Sequence, residues 1–201
     1  MGGGPMPTKL PKVGNSARFE VLHVGYGAHR VASTVSYVED GLFRAVVDPG
    51  MVPSRDSILK PLARRGVRPE DVTDVILSHH HPDHTVHCAL FPRARIHDYW
   101  AVYEGDQWTS RPAEGLFLAP SVLLLETPGH TPQDITTIVG TRAGVVAFTH
   151  LWWDETGPTP DPLATDNGLI RRHRRRVLQI AGTIVPGHGP PFVPGRRRPK
   201  A

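Results

Sequence analysis

Apolar and polar positions along this chain group into short stretches, and few of them keep a helical period. Arg18 to His23, Ser33 to Val38 and Leu42 to Val47 read as consecutive strands. The latter two are joined by Glu39-Asp40-Gly41, a turn signal between strand-like runs. Strand-length apolar runs recur at Val75 to Ser78, Ala94 to His97, Val122 to Glu126, Ile135 to Val139, Gly144 to Thr149 and Thr183 to Val185. Two segments suit helices. Ser57 to Arg65 puts Ile58, Leu59, Leu62 and Ala63 on one side, and Leu169 to Ala181 leads into the last strand. Early hairpins followed by helices between later strands predict a mixed α/β domain. No repeat or linker divides it, so one domain is expected over residues 16–193. The glycine- and proline-rich residues 1–15 and the basic residues 194–201 are predicted to be disordered tails.

At 201 residues, 39% hydrophobic and 21% charged, the chain can bury one sizeable core. No apolar run approaches the ~20 residues of a membrane helix, and Met1-Gly2-Gly3-Gly4-Pro5-Met6 has no charged-then-apolar leader pattern. Met6 also breaks the myristoylation pattern. Cys88 is the only cysteine, so no internal disulfide forms, and a cytoplasmic protein is the expectation. The formal charge is +4, with eight arginines in the runs Arg171 to Arg176 and Arg196 to Arg198. A basic stripe can bind phosphate backbones. Here the first run reads as a solvated helix face and the second as a tail. No aromatic residue interleaves with either.

The candidate chemistry lies in histidines. Ser78-His79-His80-His81-Pro82-Asp83-His84 follows the apolar run Val75-Ile76-Leu77. Alternation at a strand end sends His79 and His81 to one side, while Asp83 and His84 lie past the turn imposed by Pro82. Imidazole and carboxylate donors in one loop suit zinc, and this loop can serve two adjacent ions. His80, between two such donors, is expected to point away. Two later histidines, in Thr127-Pro128-Gly129-His130 and Pro186-Gly187-His188-Gly189-Pro190, each follow a strand and a Gly-Pro turn. A sheet scaffold presents functional groups at its rim in this way.

This ordered set resembles the metallo-β-lactamase superfamily from about Arg18 to Phe192, and includes the strand-Asp motif Val46-Val47-Asp48-Pro49-Gly50. The resemblance implies a four-layer αβ/βα sandwich with metal held at one edge between the sheets. It implies His79, His81 and His130 as ligands of one ion and Asp83, His84 and His188 as ligands of a second. Asp48 would steady the metal loop from behind. His150 stands in Phe148-Thr149-His150-Leu151, where the family usually places a bridging aspartate. A neutral imidazole has one lone pair and serves one ion only, so one or two ions per chain are expected. Asp154, four residues on, is a candidate for compensating. Trp152 and Trp153 are candidates for walling the pocket.

These residues predict a metal-dependent hydrolase, with zinc first and iron or manganese as alternatives. A metal lowers the pKa of bound water toward ~7, giving hydroxide that attacks a carbonyl. Asp83 is the candidate catalytic group, orienting that water. Only 37 residues separate His150 from His188, too few for the large insert of RNA-processing relatives. A small ester, lactone or thioester is therefore favoured. The C-terminal stretch from Arg175 to Phe192 resembles a ribonuclease-type animal branch of the family, so a phosphodiesterase or ribonuclease is the alternative. A non-catalytic or mononuclear-iron metal-binding protein is the third reading, raised by His150. The sequence leaves oligomeric state open.

Overall fold

The chain enters its first sheet along β1 (Arg18–His23), which pairs antiparallel with β4 (Val35–Asp40) after a small two-stranded flap of β2 (Tyr26–Gly27) and β3 (Val31–Ala32). The structure, a computed structural model, describes residues 12–195. The predicted tails up to residue 11 and from Arg196 onward lie outside them. Gly14 donates to Pro120 O at 2.9 Å, so the chain is already laid on the second sheet just before residue 16.

From β4 the first sheet continues through β5 (Phe43–Val47), β6 (Asp74–Ile76), β7 (Arg95–His97), β8 (Ala101–Glu104) and β9 (Gln107–Ser110), in that spatial order. β5, β6 and β7 run parallel and the other pairs antiparallel. Between them lie α1 (Asp56–Arg64) and the short α2 (Pro82–Thr85). The second sheet takes β10 (Phe117–Ala119), β11 (Val122–Glu126), β12 (Ile135–Thr141), β13 (Gly144–Thr149) and β14 (Thr183–Pro186). Helix α3 (Asn167–Leu178) precedes β14. Among the described residues no helix is long and apolar enough to cross a membrane.

Strand alternation explains the layering. In β5, Ala45 and Val47 face the second sheet and meet Val122, Leu124, Ile135 and Phe148 in the central core. Val46 faces the other way and packs with Val75, Tyr37 and the α1 residues Ile58 and Leu62. The second sheet repeats this, turning Leu123, Ile138, Ala147 and Ile184 toward Ile170 and Val177 of α3. Three cores in series make the layers helix, sheet, sheet, helix, the expected αβ/βα sandwich. Ile58 and Leu62 are fully buried, each contributing roughly 1.5–3 kcal/mol.

The structure departs from the sequence reading in five strands it did not foresee, β2, β3, β8, β9 and β10, and in the surface of α3. The hairpin β8–β9 was hidden because every residue of β9 is exposed and its polar run shows no buried face. The arginine run of α3 is not wholly solvated: His173 and Arg176 lie on the buried face with Ile170 and Val177. Arg176 pairs with Glu114 and donates to Glu126 O at 3.3 Å, which removes it from any basic surface.

Candidate metal centre

Five strand ends meet at one edge of the sandwich. Asp48 follows β5, the loop 79–84 follows β6, and His130, His150 and His188 follow β11, β13 and β14. The two sheets are tied together there by Ile135 N donating to Ser78 O at 2.8 Å and Thr34 N donating to Gly187 O at 2.7 Å. Two glycines allow the convergence. A Cβ on Gly50 would lie 1.7 Å from Asp83 O, and one on Gly187 would lie 2.4 Å from His150 Cδ2. Asp48 itself sits at φ +50°, a left-handed conformation costing roughly 1–2 kcal/mol. Ser33 Oγ donates to its carbonyl and its own N–H donates to Ile76 O, which hold it there.

The side chains converge. His81 Nδ1 lies 3.0 Å from His79 Nε2 and 3.1 Å from His130 Nε2. Asp83 Oδ2 lies 3.4 Å from His84 Nε2 and 3.6 Å from His188 Nε2. His150 stands between, its ring centre 4.6 Å from that of His79, 4.1 Å from His130, 4.9 Å from His84 and 5.0 Å from His188. Its Nε2 is 3.0 Å from His188 Nε2, and its Nδ1 is buried with no partner. Ligand atoms of His79, His130 and His150 lie within 4.8 Å of one another, as do those of His84, His150 and His188.

Groups behind the histidines set which nitrogen faces inward. His84 Nδ1 donates to Asp48 Oδ2 at 2.9 Å, His130 Nδ1 to Asp161 Oδ2 at 2.8 Å, and His188 Nδ1 to Ala32 O at 2.9 Å. With Nδ1 carrying the proton, each presents its Nε2 lone pair to the centre. The Nε2 of His84 is buried without any protein partner. Burial pushes His79 and His150 well below the ordinary imidazole value, and neighbouring histidines push the same way. Burial also lowers His130 and His188. Imidazole nitrogens converging to 3.0–3.1 Å of one another, with burial favouring the neutral form of His79, His130, His150 and His188, make a donor set that fits divalent metal ions.

Every residue expected at the centre is therefore brought there, with Asp48 behind it. Other candidates go elsewhere. His80 turns outward to Asp98 Oδ2 at 2.9 Å. Asp154 does not stand in for the family aspartate, because its Oδ1 accepts from Thr156 N and Oγ1 and from Gly157 N to close a turn. Trp153 walls the cavity, but Trp152 packs on Phe192 and under the Arg174 guanidinium. Cys88 packs into the α1 core, where burial pushes its thiol up to about 12. Asp161, behind His130, had no sequence signal: it sits in a proline-rich loop 31 residues away.

A cavity of about 430 Å³ opens on the histidines between Val31, Trp153 and Leu163. A second of about 420 Å³ lies beyond Trp153 and His188, beside Asp154 and Thr156.

Comparison with known proteins agrees with this geometry. The Metallo-beta-lactamase superfamily profile matches residues 30–191. Metallo-beta-lactamase domain-containing protein 1 of Xenopus laevis is 34% identical over 177 residues, 84% of this chain and 76% of that protein. The human protein of the same name is 37% identical over 156 residues, 73% of this chain and 58% of its own length. An N-acyl homoserine lactonase from Bacillus sp is 31% identical over 129 residues, 55% of this chain and 52% of that protein. A metallo-beta-lactamase structure from Thermotoga maritima superposes with TM-score 0.72 at 21% identity, covering 90% of this chain and all of that one. An N-acyl homoserine lactone hydrolase holding N-hexanoyl-L-homoserine at its catalytic metal centre superposes with TM-score 0.64 at 18% identity, covering 88% and 94%. The structural likenesses establish the fold. The profile match and the Xenopus laevis relative show that this chain belongs to the metallo-β-lactamase superfamily of metal-dependent hydrolases, as the converging histidines fit.

Proposed function

We propose that this chain is a zinc-dependent hydrolase of small acyl compounds, with esters, lactones and thioesters as its substrate class. The observation that carries the reading is the cavity on the histidines. At about 430 Å³ it has the size of a small-molecule site. Val31, Leu163 and Trp153 make its apolar walls, and its polar lining is histidine and Asp83. Among the described residues its lining has no lysine or arginine. A phosphate backbone is bound chiefly by cationic side chains, so this lining favours an acyl substrate over nucleic acid. The lactonase relative and the product-bound lactone hydrolase point the same way.

His79, His81 and His130 would hold one ion, and Asp83, His84 and His188 the other, with His150 donating to one of them. Bound zinc supplies a Lewis acid and lowers the pKa of its water toward ~7. Asp83 lines the cavity, with Oδ2 turned to His84 Nε2 at 3.4 Å. In this reading Asp83 would orient a water against the substrate carbonyl and take its proton. Trp153 and Val31 hold the acyl part and keep bulk water off the reacting bond.

The test is a substrate panel offered to the zinc-loaded chain: an N-acyl homoserine lactone, an aryl ester, an acyl thioester, bis(p-nitrophenyl) phosphate and a short single-stranded RNA. Turnover of an acyl substrate, lost with chelator and restored by zinc, is expected. Cleavage of the RNA or the phosphodiester in preference to every acyl compound would overturn the assignment.

A further inference from the structure

We propose that Asp161 is a positioning residue that orients His130 for metal binding and, through the same carboxylate, sets the wall of the substrate cavity. The proposal rests on the metal-dependent reading above. Its basis is one shared group: Asp161 Oδ2 accepts from His130 Nδ1 at 2.8 Å and from Trp153 Nε1 at 3.0 Å, while Oδ1 accepts from Leu163 N at 2.9 Å. The side chain is 1% exposed. Its backbone is clamped from both sides by Asn167 at the start of α3: Asp161 N donates to Asn167 Oδ1, and Asn167 Nδ2 returns to Asp161 O, each at 2.9 Å.

Two consequences follow from that arrangement. A carboxylate on Nδ1–H fixes the tautomer that leaves His130 Nε2 free, and raises the basicity of that nitrogen. Trp153 and Leu163 both line the cavity, so the oxygens of the carboxylate that orients the imidazole also locate two pieces of its wall. One carboxylate thus holds His130, Trp153 and Leu163 together. Asp48 plays the corresponding role for His84, but its other oxygen holds Ser78 N rather than any wall residue. Of the two carboxylates behind the histidines, only Asp161 also holds wall residues.

Asp161→Asn keeps the size and one acceptor oxygen but removes the charge. Zinc is titrated into the metal-free full chain against a chromophoric chelator, which resolves strong and weak classes of site. One class is expected to weaken about 10- to 100-fold while the other stays within about twofold. KM for the acyl substrate should rise in the same variant. Trp153→Phe, which removes the indole N–H and part of the wall but leaves Asp161 on His130, should raise KM and leave both zinc classes unmoved. Two zinc classes unchanged in Asp161→Asn would overturn the proposal and leave the hydrolase reading standing. Equal weakening of both classes with a fall in Tm would also overturn it, as a purely structural role. Native protein that binds no zinc would overturn both readings. If Asp161→Asn does not fold, Asn167→Ala decides. That variant loosens only the backbone presenting the carboxylate, and unchanged affinity of both classes in it would sink the proposal.

Discussion

The two halves of the centre are built by different means. His79, His81 and His130 form an all-imidazole group, open to solvent at His81 and backed by Asp161 from a distant loop. Asp83, His84 and His188 include a carboxylate, and His84 is completely buried. That second group is backed by Asp48, at the end of the strand beside the metal loop's own, and by the Ala32 carbonyl. Asp48 also holds Ser78 N at 2.7 Å, inside the sheet edge. Metal binding and fold stability are thus most nearly separable at the exposed His81 and joined at Asp48, which holds both His84 and Ser78 N.

The largest expected effect breaks the first group. His81→Ala should sharply weaken the first ion, since His79 and His130 are left with only His150 as a third donor, and that imidazole stands between both groups. Because His81 is exposed, Tm of the metal-free variant should match the native value. Unchanged zinc content by elemental analysis would refute His81 as a ligand. Asp48→Ala should strike both properties at once. Zinc affinity of the second group should fall about 10- to 100-fold. Urea unfolding of the metal-free variant should show a loss of roughly 1–3 kcal/mol, from the buried Ser78 N–H left without its acceptor. A variant that loses metal but unfolds as the native protein does would erase the contrast between the halves.

A smaller effect is expected where the halves meet. His150 touches both groups, yet its Nε2 has a single lone pair. An aspartate has two oxygens to span ions ~3.5–4 Å apart and adds a negative charge. His150→Asp should raise the affinity of the weaker zinc severalfold in a titration of metal-free protein. Equal, tight binding of two zincs by native and variant would show that His150 does not limit the second ion. The smallest change is predicted for His80→Ala. Its partner Asp98 is buried but keeps the Trp100 and Ala101 N–H groups and the Tyr103 hydroxyl as donors, so the stability cost should be about 1 kcal/mol. Zinc content should not change. A loss of metal matching that of His81→Ala would mean that the loop register is wrong.

Much of this centre was legible because its parts are local in sequence. The buried run Val75-Ile76-Leu77 names a strand, alternation separates His79 and His81 from His80, and Pro82 starts the turn that carries Asp83 and His84. The Gly-Pro punctuation before His130 and His188 marks loops at strand ends for the same reason: backbone geometry repeats over a few residues. Tertiary structure alone decided which distant groups stand behind those ligands. Asp161 reaches His130 across a loop with no periodicity, and Asp154 is consumed by its own turn. Arg176 leaves its arginine run to meet Glu114. Trp153 faces the cavity while its neighbour Trp152 packs away from it. Spacing along a strand encodes direction, because successive side chains must alternate. The path of an irregular loop is set by whatever it packs against, and that is a property of the folded chain as a whole.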